Sequence, residues 1–147
     1  MSQKKKKKKP TGRTGFLLWQ AGNSWQRQIK AALDPVGITH VQYLLLETLH
    51  ELEETKQPVT QVRLARAAGT DVMMTSKVLR LLSKKKLIAR KPDSRDARAF
   101  IPVLTQQGLK QLEKARKLVE GSEQKFFSKL VNKHEKFANN LLALTED

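Results

Sequence analysis

The stretch Asp93-Ser94-Arg95-Asp96-Ala97-Arg98-Ala99-Phe100-Ile101-Pro102-Val103-Leu104-Thr105-Gln106-Gln107-Gly108 decides the reading of this chain. Two acids alternate with two arginines over Asp93–Arg98, a strand-like run follows, and Thr105 opens a helix signal. In such a loop the acids can hold the shape while an arginine is pushed outward. Just upstream, Leu87-Ile88-Ala89-Arg90 reads as a short strand, so loop 91–98 and strand Ala99–Leu104 complete a β-hairpin. Pro102 has no N–H for a ladder, so its nitrogen must face outward on an edge. Thr105 caps a fifth helix, expected over 106–119 and broken by Gly121. Ser122 caps a sixth, with Phe127, Leu130, Val131, His134, Ala138 and Leu141 as its stripe.

Four helices are expected before the hairpin. Residues 14–33 repeat Leu18, Ala21, Trp25, Ile29 and Ala32 at helical spacing, and Asp34-Pro35-Val36-Gly37 ends the run. Thr39 caps a second helix to about Glu54, with Val41, Leu44, Leu45, Leu49 and Leu52 on one face. Thr60 caps a short third helix carrying Val62, Leu64, Ala65 and Ala68, stopped by Gly69. Asp71 caps a fourth through about Lys85, with Thr75, Val78, Leu79 and Leu82 inward.

Composition points to a polyanion as partner. Lys and Arg total 29 against 14 Asp and Glu, a net charge of +15. Six of these lysines form the unbroken run Lys4–Lys9; the remainder still holds 23 basic residues against 14 acidic. A basic balance of that size fits phosphate backbones or anionic membranes. At 5% aromatic residues, the chain lacks the stacking surface that single strands and RNA loops require. Residues 1 to about 12 are expected to be a disordered poly-lysine tail: a solvated extension, a phosphate-binding arm or a localisation signal. The remaining 13–147 are expected to form one domain. Cysteine is absent, which excludes disulfides, thiolate zinc sites and thiol redox sensing. No apolar run reaches the ~18–20 residues of a membrane span, and no secretory pattern follows the first lysines. A cytoplasmic protein is expected.

Short helix, tight turn at Gly69, second helix, then a basic hairpin is the plan of a winged helix-turn-helix. With Thr75, Val78, Leu79 and Leu82 inward, the outward positions are Val72, Met73, Ser76, Lys77 and Arg80. Ser76 and Lys77 suit base edges or phosphates, Arg80 a guanine or the backbone, and Val72 and Met73 thymine methyl groups. Met74 stands between core and groove. Lys84, Lys85 and Lys86 favour the helix C-terminus and are also placed for phosphate. Arg95 at the wing tip is the expected minor-groove contact. Asp96 and Arg98 are expected to pair and stiffen the hairpin, with phosphate contact as the other role open to Arg98.

These pieces resemble the MarR family of bacterial and archaeal regulators. The resemblance is carried by Gly37-Ile38-Thr39-His40-Val41-Gln42-Tyr43, Leu64-Ala65, Leu82-Ser83-Lys84-Lys85-Lys86-Leu87-Ile88, and the acid–arginine wing running into Leu104-Thr105-Gln106-Gln107-Gly108. It spans residues 14 to about 143. The wing with its Leu-Thr-x-x-Gly is the specific part. The resemblance implies a mainly α fold with a small β-hairpin wing, as an obligate homodimer. A DNA-binding lobe at about 39–104 would be joined to dimerisation helices at about 14–33 and 105–143, and the dimer would bind a pseudo-palindromic operator. Long apolar stripes on the terminal helices point independently to a dimer. The family also implies release of DNA by a small, often aromatic, anion in the cleft between the two parts, where Trp19, Trp25, His40 and Tyr43 are the candidates. Three departures stand out. Lys86 replaces a usual glycine, Pro102 interrupts the second wing strand, and the lysine tail lies outside the pattern. Lack of cysteine excludes the peroxide-sensing branch.

No cofactor or metal is expected. His40 and His50 face different ways on one helix, and His134 lies on the terminal stripe. No paired carboxylates, nucleophile–base pair or phosphate-cradling glycine loop suggests an enzyme. The alternative to a sequence-specific repressor is a basic architectural protein that binds duplex DNA with little preference.

Overall fold

The structure, a computed structural model, describes residues 12–146. The expected poly-lysine tail, but for Gly12, lies outside the described residues. The elements are α1 (Thr14–Leu33), a 3-10 turn (Asp34–Val36), α2 (His40–Glu53), α3 (Gln61–Ala68), α4 (Val72–Lys84), β1 (Ile88–Asp93), β2 (Asp96–Leu104), α5 (Gln106–Phe127), a 3-10 segment (Ser128–Lys133) and α6 (His134–Thr145).

Four side-chain caps set these boundaries. Thr39 and Gln42 form a reciprocal capping box at α2, each accepting the other's backbone N–H. Thr60 accepts from the Arg63 N–H at 3.1 Å, Asp71 from Met74 at 2.8 Å, and Thr105 from Gly108 at 2.9 Å. The turn between α3 and α4 needs Gly69, whose φ of +67° is left-handed. The hydroxyls of Thr70 and buried Thr75 then meet at 2.7 Å, tying the turn to α4.

The core lies where α1, α2, α4 and α5 converge under the base of the hairpin. Ile29, Leu33, Leu45, Leu46, Leu49, Leu64, Leu82 and Leu112 are its fully buried large residues, with Thr75 beside them. On α4 the expected inward set holds: Thr75, Leu79 and Leu82 are buried and Val78 is half-buried. On α3 it does not. Val62, grouped by spacing with Leu64 and Ala65, is exposed because it faces the wing side rather than α2.

Three expectations about boundaries are corrected. The hairpin turn is not an eight-residue loop: β1 runs to Asp93 and β2 starts at Asp96. Register is regular from Ile88↔Leu104 to Pro92↔Phe100, then jumps to Asp93↔Asp96, so Ala97–Ala99 bulge from the ladder. The fifth helix does not stop at Gly121. It continues to Phe127 with Ser122 inside it, because one interior glycine costs only ~1 kcal/mol against a long helix held by its neighbours. The sixth helix therefore starts at His134 and not at Ser122; Val131, at φ 53° and ψ −118°, breaks the path between them. The stripe survives only as a cluster, with Phe127 stacked on His134 at 4.8 Å and 6.2 Å from Phe137.

Pro102 sits as expected. It pairs opposite Arg90 with its nitrogen on the outer edge, and the next N–H on that edge, from Leu104, donates to the Glu53 carboxylate at 2.8 Å. Thus α2 closes the open edge of the wing.

Lys86 holds a left-handed position, φ 61°, at the end of α4. Its N–H donates to the Ser83 carbonyl and that of Leu87 to the Leu82 carbonyl, both at 3.0 Å, which is the Schellman pattern. A β-carbon in this region costs about 1–2 kcal/mol, and glycine's larger unfolded-state entropy takes back about half. Lys86→Gly is therefore expected to stabilise the fold by about 0.5–1 kcal/mol, raising Tm by a few degrees, about 2–4 °C per kcal/mol, in a thermal melt. An unchanged or lower Tm would show that the lysine is not strained there.

Candidate nucleic-acid interface

Five residues on α4 were expected to face outward. Val72, Met73, Lys77 and Arg80 are exposed, Met73 most of all at 74%, and Ser76 is half-buried. Met74, left open by the spacing, is exposed as well. Helix α4 thus presents apolar tips at its first turn and cations further along. Residues 60–104 carry eleven Lys and Arg against three Asp.

The three closing lysines divide. Lys85 stays exposed but folds back onto α2, its ammonium donating to the Gly37 carbonyl at 2.8 Å and to Gln42 Oε1 at 3.2 Å. This ties the end of α4 to the capping box of α2. Lys84 and Lys86 are exposed as well.

The wing tip is braced differently from the expectation. Arg95, not Arg98, makes the ion pair, and its partner is Asp93. The Arg95 backbone N–H donates to Asp93 Oδ1 at 2.9 Å, Nε to the same oxygen at 3.2 Å, and Nη2 to Oδ2 at 3.1 Å. Asp93 is buried while the arginine side chain stays 58% exposed. Hydrogen bonds from Arg95 hold the Asp93 carboxyl below its usual range, so this brace stays charged at neutral and mildly acidic pH. It is lost only as pH falls through that lowered value. Asp96 does stiffen the turn, but by accepting the Arg98 backbone N–H at 2.9 Å. The Arg98 guanidinium is in no ion pair among the described residues.

Arg98 instead borders a cavity of about 400 Å³ between α3, α4 and the wing, shared with Thr60, Val62, Ser76, Arg90 and Phe100. The Arg90 guanidinium lies 5.0 Å from the Phe100 ring centroid. Sequence reasoning missed Arg90 and Phe100. They are diagonal neighbours on one face of the hairpin, a relation that exists only once the register is known.

Two contacts hold α5 against α2 and the turn before it. Arg116 on α5 grips Glu47 on α2 through three N–H···O bonds of 3.0–3.2 Å. Gln111 on α5 donates to the Val36 carbonyl.

Comparison with known proteins decides what this arrangement is. The model of the MarR family matches residues 38–100. An HTH-type transcriptional regulator of Bacillus subtilis (strain 168), YdcH, is 38% identical over 135 residues, 92% of this chain and 91% of that protein. The chain belongs to the MarR family of transcriptional regulators. Among solved structures, Bordetella bronchiseptica BpsR superposes with TM-score 0.82 at 21% identity over 96% of this chain and 99% of that one. The Mycobacterium tuberculosis MarR family protein Rv2887, solved with DNA, gives 0.70 at 23% identity over 92% and 100%.

Against the MarR frame, the four residues expected to line a ligand cleft do not form one site. Trp25 meets His40 edge-on at 4.9 Å, and the buried Trp25 Nε1–H has no partner among the described residues. Tyr43 lies near Glu47 and Arg116; burial, with Glu47 next, pushes its hydroxyl pKa up to about 12. Trp19 is exposed and stacks on Phe16 at 6.1 Å. His40 borders a cavity of about 420 Å³ with Arg27, Lys30, Ile38 and Val41, while Trp25 lines a separate apolar one with Leu18, Phe126, Phe127 and Phe137. Burial lowers the His40 pKa, which favours the neutral ring. Sequence reasoning missed Arg27 and Lys30, which look like ordinary solvated residues of α1 until α2 is laid across them.

Proposed function

We propose that this MarR family member is a homodimeric repressor that binds a pseudo-palindromic DNA operator in the cytoplasm and has no enzymatic role. The observation that carries this reading is the exposed α4 face, Met73, Lys77 and Arg80 beside the braced wing, within residues 60–104, which carry eleven Lys and Arg against three Asp. In the reading, α4 enters the major groove through Val72, Met73, Ser76, Lys77 and Arg80, and the wing approaches the backbone or minor groove through Arg95 and Arg98. The lobe at about 39–104 binds DNA, and helices at about 14–33 and 105–143 dimerise. Within one protomer Phe16, Leu17, Leu18 and Trp19 of α1 and Leu142 and Leu144 of α6 are exposed, an apolar surface that a second copy would cover. Among the described residues no helix is long and apolar enough to cross a membrane.

Selection from random duplex DNA tests the proposal. A short pseudo-palindrome, its half-sites roughly one helical turn apart, is expected to be enriched. Absence of any enriched sequence, with all binding lost on deletion of residues 1–10, would favour the architectural alternative.

Arg95→Ala is expected to weaken binding to every duplex alike and to lower the slope of log K against log salt by ~0.9 for each wing. Titrations at several salt concentrations read this directly. A loss confined to one sequence would make Arg95 a base reader instead.

A second reading concerns release. The cavity beside His40 sets two cations, Arg27 and Lys30, and one acid, Asp34, around the apolar Ile38 and Val41, and the surplus of positive charge suits a small aromatic carboxylate. Salicylate, tested as a probe, is expected to weaken operator binding in the native chain and not in Arg27→Ala/Lys30→Ala.

A further inference from the structure

Apart from Met1, the sulfur of this protein is confined to two adjacent residues, Met73 and Met74, and cysteine is absent. Both lie in the first turn of α4, whose N-terminus is capped by Asp71. Neither belongs to the core. Met73 is 74% exposed and Met74 36%, while methionines elsewhere are ordinarily buried gap-fillers. Their solvent-facing neighbour Val72, at 46%, makes the same turn the most apolar exposed part of the lobe's reading helix.

We infer that Met73 and Met74 are an oxidisable switch on the DNA-reading face, with a hydroperoxide as the oxidant. The inference rests on the reading of α4 as the recognition helix, whose N-terminal residues meet base edges. The thioether sulfur attacks the terminal oxygen of the peroxide. The S–O bond forms as the O–O bond breaks, and the departing oxygen takes up the proton and leaves as an alcohol, or as water from hydrogen peroxide. Sulfur is oxidised by two electrons and the peroxide is reduced by two. The product is methionine sulfoxide, a polar and chiral side chain.

A sulfoxide at this place opposes binding in two ways. Its oxygen is an acceptor only, and the thymine edge that an apolar tip would touch offers a methyl group and another acceptor. Burying that oxygen without a donor carries the usual desolvation cost of an unsatisfied polar group. Exposure also makes the switch reversible, because a sulfoxide on the surface is open to repair by the two methionine sulfoxide reductases, one for each epimer. The fold itself is spared: Thr75, Leu79 and Leu82 hold α4 to the core.

The test uses the full chain and the duplex enriched by selection. Native protein is treated with hydrogen peroxide until mass spectrometry shows one oxygen added at each of Met73 and Met74, and its affinity is measured by fluorescence anisotropy. The expected result is a loss of at least tenfold, restored by the reductases. Met73→Leu/Met74→Leu is compared only with its own untreated form, whatever its starting affinity, and is expected to change less than twofold. Native protein that binds equally well when fully oxidised would overturn the inference. So would a leucine variant that loses as much as the native chain, which would place the damage elsewhere, the exposed Trp19 included. A native chain that binds no enriched duplex even before treatment would instead count against the reading of α4.

Discussion

Gly108→Ala is expected to destabilise the protein by about 3 kcal/mol or more, the upper end for an overpacked site. A β-carbon on Gly108 would stand 1.9 Å from the Leu87 carbonyl oxygen and 2.9 Å from Leu104 Cδ1. The leucine side chain can rotate away, but the carbonyl cannot. It is held by the Thr105 N–H at 3.1 Å and the Thr105 hydroxyl at 3.0 Å, and the same hydroxyl reaches the Lys86 carbonyl at 2.7 Å. Thr105 therefore does two jobs: it caps α5 and pins the chain leaving α4 against the start of α5. Relief of the clash requires moving α5 off the hairpin base, which opens contacts made by buried Leu87, Ile88 and Leu112. A thermal melt should show a Tm lower by on the order of 10 °C, with a matching fall in the urea midpoint. A shift under about 2 °C would mean that the junction yields freely.

Lys77→Ala is the largest effect expected on recognition. Lys77 is exposed, so its loss should leave stability within about 0.5 kcal/mol. A side-chain contact to a base edge is worth about 1–3 kcal/mol, and a dimer makes it twice. Affinity for the enriched duplex should therefore fall on the order of 100-fold, while affinity for a scrambled duplex changes little. Ser76→Ala should act in the same direction and less, since Ser76 is half-buried at the wall of the cavity shared with Arg90 and Arg98. Equal losses on both duplexes would make Lys77 a phosphate contact and move specificity to Arg80 and the apolar first turn.

The caps Thr39, Thr60, Asp71 and Thr105 were all legible in the sequence, because a cap is a local hydrogen bond to a residue three positions on. The inward face of α4 was legible too, since spacing in one helix fixes which residues share a side. The wing was legible as a basic hairpin but its bracing was not. Asp93, Asp96, Arg95 and Arg98 offer several pairings at nearly equal spacing, and the bulge over Ala97–Ala99 decides among them. Gly121 misled for the opposite reason: a local penalty of ~1 kcal/mol was outweighed by the packing of a 22-residue helix against its neighbours.

The motif that opened the reading separates the two kinds of information. Local chemistry was sufficient to place Thr105 at a helix start, the arginines on a turn and Pro102 on an edge, because each depends on bonds within a few residues. Why position 108 is glycine was not recoverable in that way. Its neighbour is the Leu87 carbonyl, twenty-one residues back along the chain, and only the meeting of α5 with the hairpin base brings them together. The same holds for Lys85 reaching Gly37, Glu53 closing the edge at Leu104, and Arg116 gripping Glu47. In each, a charged or permissive residue satisfies backbone or charge on a distant element, and the packing of the helices rather than sequence spacing selects the partner.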